Sequence, residues 1–474
     1  MRITNDILDM SRARRHRRPA PGLARAAASI VVLAVLLAVI AGVTPAHAAF
    51  WDPDATPVWA NYENGAGDGD DYAMDVKLTS GGVTYVAGTV TNAQGNTDIS
   101  LGKYLAGVSV WGGLKTYNGP GHGDDFAKRM ALGPGGVVYV TGPSTNGAGD
   151  ADLVVVKWSG KTGKRLWVRR YDGPKHLADA GSAIGVDRRG NVTVAGYSYS
   201  GNSQDVFVRS WSASGKVRWS WRYDGAAHGP DSASDLCVAG DGSVYLSAVV
   251  RGVADATTSL TARFSSAGKK KWMDLYTGPD NLEAAMSGMA ARPGGGVYVA
   301  GWARTTTMAY DGLVVAYSAG GTRSVFALDS GATNQGFNDV AVTSGGDIVA
   351  VGYTVVAGDN QPRRVRYDPL GVVQMSATIP TSGPDEYTAV ATDAYDGYYP
   401  TGSNTNGVGD MRVETRRLST VVGGGSWVSE VLPHATPANR PTAIAVRGTT
   451  VVVVGQTDTG LAADDDQFLF TYVY

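Results

Sequence analysis

The sequence predicts an all-β chain folded as an eight-bladed β-propeller of four-stranded antiparallel blades, because it repeats itself eight times. In every unit a short apolar run ends in a small residue, and these anchor residues recur at intervals of 50–54 residues. Strand-rich units of about that length are typical of propellers. The anchors are Gly88, Gly142, Gly196, Ala248, Gly301, Gly352, Gly402 and Gly455.

Further landmarks keep nearly the same register within the units. Five units carry an aspartate seventeen residues before the anchor, namely Asp71, Asp125, Asp179, Asp231 and Asp385. The first five units also carry a glycine six residues before that position, namely Gly65, Gly119, Gly173, Gly225 and Gly278. A tryptophan and a tyrosine precede each of these glycines. The shared register of these landmarks is evidence of a true repeat rather than chance similarity.

Each unit contains four candidate strands. In the third unit they cover residues 180–187, 192–196, 205–211 and 217–223, and Gly, Asn, Ser and Asp fill the turns between them. Valine, threonine, tyrosine and tryptophan favour strands, whereas glycine, asparagine and aspartate favour turns. Each unit is therefore predicted to form one antiparallel blade.

The two ends of the repeat region predict how the ring closes. The repeat region begins with a lone fourth strand at residues 57–62 and finishes on a third strand at 467–474. We expect the first of these to complete the last blade, which removes the open sheet edge. Seven blades is the alternative, and it would require the fourth or the sixth unit to form something else.

The N-terminal segment resembles a secretory signal rather than a blade. Six arginines between residues 12 and 25 precede an apolar run at 26–43 and the small-residue site Ala46-His47-Ala48. This pattern predicts a signal peptide at residues 1–48 and a secreted protein, with an uncleaved membrane anchor as the alternative. Residues 49–56 form a short lead, and residues 57–474 form the propeller.

Charge and cysteine content limit the partners. Beyond residue 48 the chain has 34 basic and 41 acidic residues, a net charge of −7. This balance argues against nucleic acid as a partner, because phosphate binding needs a basic surface. No later segment is long and apolar enough to span a bilayer. Cys237 is the single cysteine, so an intramolecular disulfide is excluded. We expect a monomer.

The frame Trp-x-x-x-Tyr-x-Gly, followed by an aspartate and by the Gly-Asn-Val-Thr-Val-Ala-Gly strand at 190–196, resembles the secreted bacterial β-propeller repeat proteins. The resemblance covers most of residues 57–474. It implies the propeller architecture and an extracellular or cell-surface location. It carries no activity, since members of that group are mostly unassigned.

A narrower resemblance concerns the segment Thr-Gly-Lys-Arg-Leu-Trp at 162–167 and related segments at 214–219 and 267–272. They are similar to the tryptophan-docking motif of quinoprotein propellers, in which a tryptophan docks one blade on the next. Quinoprotein dehydrogenases bind pyrroloquinoline quinone with calcium and typically have a pair of adjacent cysteines. With Cys237 alone that pair is impossible, so we predict no quinone cofactor.

Histidine and aspartate recur together in the loops that precede three of the units. His122, His176 and His228 each lie three residues before the repeated aspartate, which is Asp125, Asp179 or Asp231. These residue types suit metal binding or acid–base chemistry. On successive blades, however, they would lie at three separate places, so we expect them to hydrogen-bond their own loops. They remain candidates for a binding face.

The loops between second and third strands are rich in asparagine, glycine and aspartate. Oxygen ligands on such loops could hold calcium, and the candidate ligands are Asp98, Asp150, Asp152 and Asp410. None of the loops follows the twelve-residue calcium-loop pattern, and aspartate is common in turns without a metal. Calcium is the only cofactor that the residues suggest.

The predicted function is that of a secreted, non-catalytic binding or scaffold protein whose loops contact an extracellular polymer or a protein partner. The alternative is a secreted hydrolase or lyase with its active site in the central channel, with or without calcium. Channel carboxylates with raised pKa values would favour the enzyme. A channel without them, beside an aromatic loop surface, would favour binding.

Overall fold

The structure is a computed structural model. It describes residues 57–473 except for 68, 202, 306–308, 330–332, 421–425, 432–438 and 459–464. The predicted signal peptide at 1–48 and the lead at 49–56 lie outside the described residues, so both stay predictions. The described residues form one compact unit that contains every described strand.

Eight antiparallel sheets form the blades of a β-propeller, as the repeat predicts. The first four blades contain β2–β18, and β1 precedes them. The strands are β1 (Trp59–Glu63); β2 (Tyr72–Leu78), β3 (Val83–Thr91), β4 (Thr97–Leu105), β5 (Val108–Ser109) and β6 (Lys115–Tyr117); β7 (Arg129–Gly133), β8 (Val137–Thr145), β9 (Ala151–Ser159) and β10 (Arg165–Tyr171); β11 (Asp179–Val186), β12 (Val192–Tyr199), β13 (Gln204–Trp211) and β14 (Val217–Tyr223); β15 (Ser232–Val238), β16 (Val244–Arg251), β17 (Thr257–Phe264) and β18 (Lys270–Tyr276).

The last four blades contain β19–β33. Their strands are β19 (Glu283–Ala291), β20 (Gly296–Arg304), β21 (Tyr310–Ser318) and β22 (Arg323–Asp329); β23 (Gln335–Val342), β24 (Ile348–Val356), β25 (Asp359–Tyr367) and β26 (Val373–Thr378); β27 (Tyr387–Thr392), β28 (Gly397–Thr405), β29 (Met411–Ser419) and β30 (Trp427–Val431); β31 (Asn439–Arg447), β32 (Thr450–Asp458) and β33 (Asp465–Val473). The helical content of the described residues is one short 3₁₀ turn, Val253–Asp255, and none of their helices could cross a membrane.

The N-terminal strand completes the last blade. The strand β1 pairs antiparallel with β33, and Trp59 lies opposite Thr471 while Glu63 lies opposite Gln467. The order of the eighth sheet is β1-β33-β32-β31, so the first and last strands of the ring share one blade. The predicted closure is therefore confirmed, and the seven-blade alternative is wrong because each of the eight units forms its own sheet.

Blade 1 departs from the four-strand pattern. Its outer strand is split into β5 and β6, which pair separately with β4. Gly112 and Gly113 lie between the two pieces with positive φ angles of 69° and 132°. Strands need negative φ, so this glycine pair interrupts the strand that the tryptophan and tyrosine landmarks predicted.

The apolar core is divided among the boundaries between blades. The described residues form eight clusters of buried apolar side chains, and each cluster joins two neighbouring blades. The cluster that closes the ring packs Val76 and Val86 of blade 1 against Val452 and Val454 of blade 8. Burial between blades therefore stabilises the ring all the way round, including the closing boundary.

Two glycine positions of the repeat are required by close approaches. At the anchor Gly142, an added Cβ would overlap the carbonyl oxygen of Phe126 on the adjacent first-strand segment. The tryptophan on the outer strand of one blade packs on a glycine of the next blade, in the turn before that blade's own outer strand. An added Cβ at Gly321 would lie 2.7 Å from the ring of Trp272, whose Nε1 donates to the Ala319 carbonyl at 3.1 Å. The docking role expected from the quinoprotein-like segment is thus confirmed for Trp272.

Replacement of Gly321 by alanine tests this docking. Gly321 has φ +92°, and Gly409 has φ +91° with open space around its Cβ position. Gly409→Ala should cost about 1–2 kcal/mol for the left-handed backbone alone. Gly321→Ala should cost about 1–3 kcal/mol more, because the methyl group overlaps Trp272. Urea unfolding followed by circular dichroism measures both. Equal losses would show that the tryptophan contact does not constrain Gly321.

Candidate functional site

The repeated aspartates close the loops between blades. Asp125 and Asp231 are fully buried. The oxygens of Asp125 accept the main-chain N–H groups of Gly119 at 2.5 Å and Thr145 at 3.0 Å. Asp231 makes the equivalent bonds to Gly225 at 2.5 Å and to the N–H of Arg251 at 2.7 Å. These carboxylates thus bind main-chain groups of the loops. Burial raises the pKa of Asp125 and of Asp231, although the main-chain N–H bonds lower it.

The three repeated histidines lie at exposed loop positions on successive blade boundaries. His122, His176 and His228 have φ between +50° and +54°, at the end of a turn that begins with the loop glycine. His176 Nδ1 lies 2.6 Å from an oxygen of Asp172, and this hydrogen bond raises the pKa of the imidazole. His228 repeats the contact with Asp224 at 2.6 Å. The structure thus places the histidines in separate loops, and their part in a binding face stays a prediction.

The two sets of loops share one rim of the ring, here called the loop face. It consists of the connections between blades and of the turns between second and third strands. Asn96 Nδ2 donates to the carbonyl oxygen of His122 at 2.9 Å, and Ser203 Oγ donates to that of His228 at 2.8 Å. The opposite rim, here called the hairpin face, carries the turns between first and second and between third and fourth strands.

Asparagines of the same loops engage three of the four calcium candidates. Asp98, Asp152 and Asp410 accept side-chain amide bonds from Asn92, Asn146 and Asn406 at 2.7, 2.8 and 3.1 Å. The main-chain N–H of Asp150 donates to Asn146 Oδ1 at 3.1 Å. The candidates lie in three different blades and do not converge on one ion. Among the described residues, Asp152 is the candidate that lies in a carboxylate cluster.

The first strands of all eight blades line a central cavity of about 580 Å³. Seven of the eight described first strands carry a β-bulge opposite or beside the anchor. The residue after the bulge lies on the cavity wall in most blades. This position is Asp75 in blade 1, Asp235 in blade 4 and Asp339 in blade 6, and its counterpart in blade 2 is Arg129.

The three channel aspartates join neighbouring blades. Oδ2 of Asp75 accepts the N–H of Met130 at 2.8 Å. Oδ2 of Asp235 accepts the N–H of Met289 at 3.0 Å, and Oδ2 of Asp339 accepts that of Val390 at 2.9 Å. In each case the donor belongs to the first strand of the following blade. Hydrogen bonds to a charged acceptor are worth about 1.5–3 kcal/mol each, so these carboxylates help to hold the inner ring together.

Bulge residues make a second set of bonds between blades. Ser182 Oγ donates to the carbonyl of Ala233 at 2.7 Å, and Thr388 Oγ1 donates to that of Pro441 at 2.8 Å. Asn338 Nδ2 reaches the carbonyl of Tyr387 at 2.9 Å in the same way. The bulge therefore turns one polar side chain of these first strands toward the next blade.

The channel aspartates also have perturbed acidity. Burial raises the pKa of Asp235, and it raises the pKa of Asp339 to about 6. The negative charge of Asp235 adds to the shift at Asp339, while the nearby Arg129 guanidinium opposes it. Burial likewise raises the pKa of the Cys237 thiol on the same wall to about 11, so that thiol is protonated at neutral pH.

The sequence prediction named no channel residue. Asp75, Asp235 and Asp339 each lie thirteen residues before the anchor, as does Arg129. Alignment of the units on their anchors would have shown charged residues at a position that is otherwise occupied by alanine, glycine or threonine. That signal is weak, because half of the units lack it.

Comparisons with known proteins support the fold. No family model matches the chain, and no curated protein matches it. Sqt1 from Chaetomium thermophilum is similar, with a TM-score of 0.54 and 11% identity over 89% of this chain and 99% of that chain. The quinohemoprotein alcohol dehydrogenase from Comamonas testosteroni is similar with a TM-score of 0.53 and 11% identity, over 89% of this chain and 76% of that chain. The Chaetomium Sqt1 bound to the N-terminus of ribosomal protein L10 has a TM-score of 0.53 and 12% identity, over 89% of this chain and 100% of that chain. Similarity at such low identity shows the fold alone.

The raised pKa of Asp339 predicts a pH-dependent stability. The folded protein binds the carboxyl proton of Asp339 more tightly than the unfolded chain does. The free energy of unfolding of the wild type therefore falls as pH rises from about 4 to about 6. The variant Asp339→Asn lacks this effect. Its free energy of unfolding relative to wild type should therefore rise by up to about 3 kcal/mol between pH 4 and pH 7. Lost N–H bonds add a constant offset that does not depend on pH.

Asp241→Asn is the matched control for the loss of one negative charge. The N–H and O–H groups of Ser243 lower the pKa of Asp241, so its contribution changes only below about pH 4. Its difference from wild type should stay level between pH 4 and pH 7. A level difference for Asp339→Asn as well would show that Asp339 ionises like an ordinary aspartate. Urea titrations at several pH values measure both variants.

Proposed function

We propose that this chain is a secreted, non-catalytic binding module that contacts an extracellular polymer or a protein partner through its loop face. The observation that carries the proposal is that the repeated aspartates and the channel aspartates accept main-chain N–H groups. Asp125 and Asp231 hold loops, whereas Asp75, Asp235 and Asp339 hold neighbouring blades. Acids bound in this way build a rigid ring rather than a reaction centre.

The loop face is the side best suited to a partner. Loops on a rigid scaffold commonly carry binding residues. Val253 and Val408 lie at loop-face tips with 81% and 82% of their surfaces exposed, and the three histidines lie on the same rim. A similar propeller, Sqt1, has been solved with the N-terminus of a ribosomal protein, which supports a protein partner as one of the two classes.

Secretion is part of the proposal and depends on the N-terminal sequence. The arginine-rich start, the apolar run at 26–43 and the Ala46-His47-Ala48 site support export. A partner outside the cell follows from export. The single Cys237 is consistent with it, because the ring is stabilised by burial between blades rather than by disulfides.

A specific observation also favours a second function, that of a secreted hydrolase or lyase acting in the channel. Asp339 has a pKa of about 6 and lies with Asp235 on the wall of the 580 Å³ cavity. A carboxylic acid with that pKa could donate a proton near neutral pH. The binding function is preferred because both oxygens of Asp339 already accept main-chain N–H groups, from Val340 and Val390.

Binding is tested with residues 49–474 against insoluble peptidoglycan, chitin and cellulose and against immobilised secreted proteins of defined composition. Once a ligand is found, Val253→Asp and Val408→Asp should each weaken its binding by about tenfold or more, because each variant places a charge in the contact. Leu370→Asp is the matched control, because Leu370 is 85% exposed on the hairpin face. Equal weakening by the control variant would remove the loop face from the proposal.

The enzyme alternative is tested with the same polymers. New reducing or unsaturated ends, released by the wild type and lost in folded Asp339→Asn, would establish the channel as an active site. Binding without product release, at a strength that Asp339→Asn leaves unchanged, is the result that the proposed function requires.

A further inference from the structure

Three carboxylates from blades 2 and 3 meet on the loop face. One oxygen from each of Asp152, Asp172 and Asp179 lies within 4.8 Å of the others. Asp152 is at the start of β9, Asp172 directly follows β10, and Asp179 begins β11. Acidic groups often lie together without a ligand, so the hydrogen bonds of each carboxylate decide what the cluster can do.

Asp179 differs from its equivalents in the other blades by one bond. Asp125 and Asp231 each use both oxygens to accept main-chain N–H groups. Asp179 accepts the N–H of Gly173 through Oδ2 at 2.5 Å, but its Oδ1 has no hydrogen-bond partner. The residue is nevertheless fully buried. A buried carboxylate oxygen without a donor is costly. One oxygen of Asp179 lies within 4.8 Å of oxygens of two further carboxylates.

The electrostatics of the cluster favour a cation. Burial raises the pKa of Asp179, and the charges of Asp172 and Asp152 raise it further, although the N–H of Gly173 lowers it. The guanidinium of Arg170 contacts Asp152 at 3.1 Å and neutralises one of the three negative charges. The three carboxylates and the Arg170 guanidinium together carry a charge of −2, which matches one divalent cation.

The existing bonds leave lone pairs for a metal. Asp152 accepts from the Asn146 amide at 2.8 Å and from the Arg170 guanidinium, and Asp172 accepts from His176 Nδ1 at 2.6 Å. A carboxylate has about four acceptor sites, so one or two bonds do not fill it. Asp172 is also partly exposed, with 38% of its side-chain surface accessible, which gives an ion a route from solvent.

We propose that Asp152, Asp172 and Asp179 bind a calcium ion at the boundary of blades 2 and 3. Calcium takes oxygen ligands at about 2.3–2.6 Å, so two ligands of one ion can lie up to about 5 Å apart. The separations within this cluster satisfy that limit. Magnesium needs shorter distances of about 2.0–2.1 Å and stricter octahedral geometry. The ion would link two blades, and the proposal is independent of the binding function argued above.

Calorimetric titration of calcium into chelator-treated protein, residues 49–474, tests the site. We expect one site per chain, with a dissociation constant no weaker than the range of about 10⁻⁴–10⁻³ M known for extracellular calcium modules. Asp172→Asn should weaken calcium binding by about tenfold or more, because it removes a charged ligand from an exposed position that folding does not need. Magnesium and zinc are titrated in parallel.

Asp224→Asn is the matched control. Asp224 holds the equivalent place between blades 3 and 4, has 40% of its side-chain surface exposed and contacts His228 at the same 2.6 Å. Its neighbour Asp231 has both oxygens occupied, so this variant should bind calcium like the wild type. Absence of calcium binding up to about 10 mM, well above that range, overturns the proposal. So does equal weakening by the two variants, or tight binding of magnesium or zinc in place of calcium.

Discussion

The ring depends on buried aspartates that accept main-chain N–H groups. A connection between blades turns the chain from an outer strand to the next inner strand, and such a turn leaves N–H groups without partners from a sheet. Asp125 supplies the acceptor for one of them, in Gly119, and it also accepts the N–H of Thr145 at the end of β8. The carboxylate is so close that a Cβ on Gly119 would lie 2.7 Å from it. Glycine and aspartate six residues apart are therefore one structural device.

This device explains why the fold could be predicted from sequence. The aspartate recurs in five of the eight units and the anchors in all eight, so the blade count and the closing strand could be predicted from the repeat. The tryptophan at the outer strand was predictable for the same reason. The break in the outer strand of blade 1 was not predicted, because Gly112 and Gly113 are an insertion into one unit and the repeat says nothing about single units.

The candidate sites could be predicted only in part, because they depend on differences between blades. Asp75, Asp235 and Asp339 occupy a position that half of the blades fill with small uncharged residues, and only the closed ring brings them to one channel. Asp172 and Asp179 are close in sequence, but Asp152 precedes Asp172 by twenty residues and lies at the start of β9, after the turn between the second and third strands of blade 2. Neither grouping has a spacing that can be recognised along the chain. The sequence named Asp152 and Asp179 but not their convergence with Asp172, and it missed the channel residues, which vary between repeats.

The same differences make the ring chemically uneven. The histidine and aspartate pair occurs at three consecutive boundaries, marked by His122, His176 and His228, and the fifth unit has Asn281 and Ala284 instead. Asn281 keeps the positive φ of 56° that the histidines have, so the turn survives there without the imidazole. The backbone therefore does not need histidine at this position. Since the loop geometry is maintained without it, the histidines distinguish one sector of the loop face chemically, and a partner that recognises imidazole or carboxylate groups would meet them on blades 1 to 4.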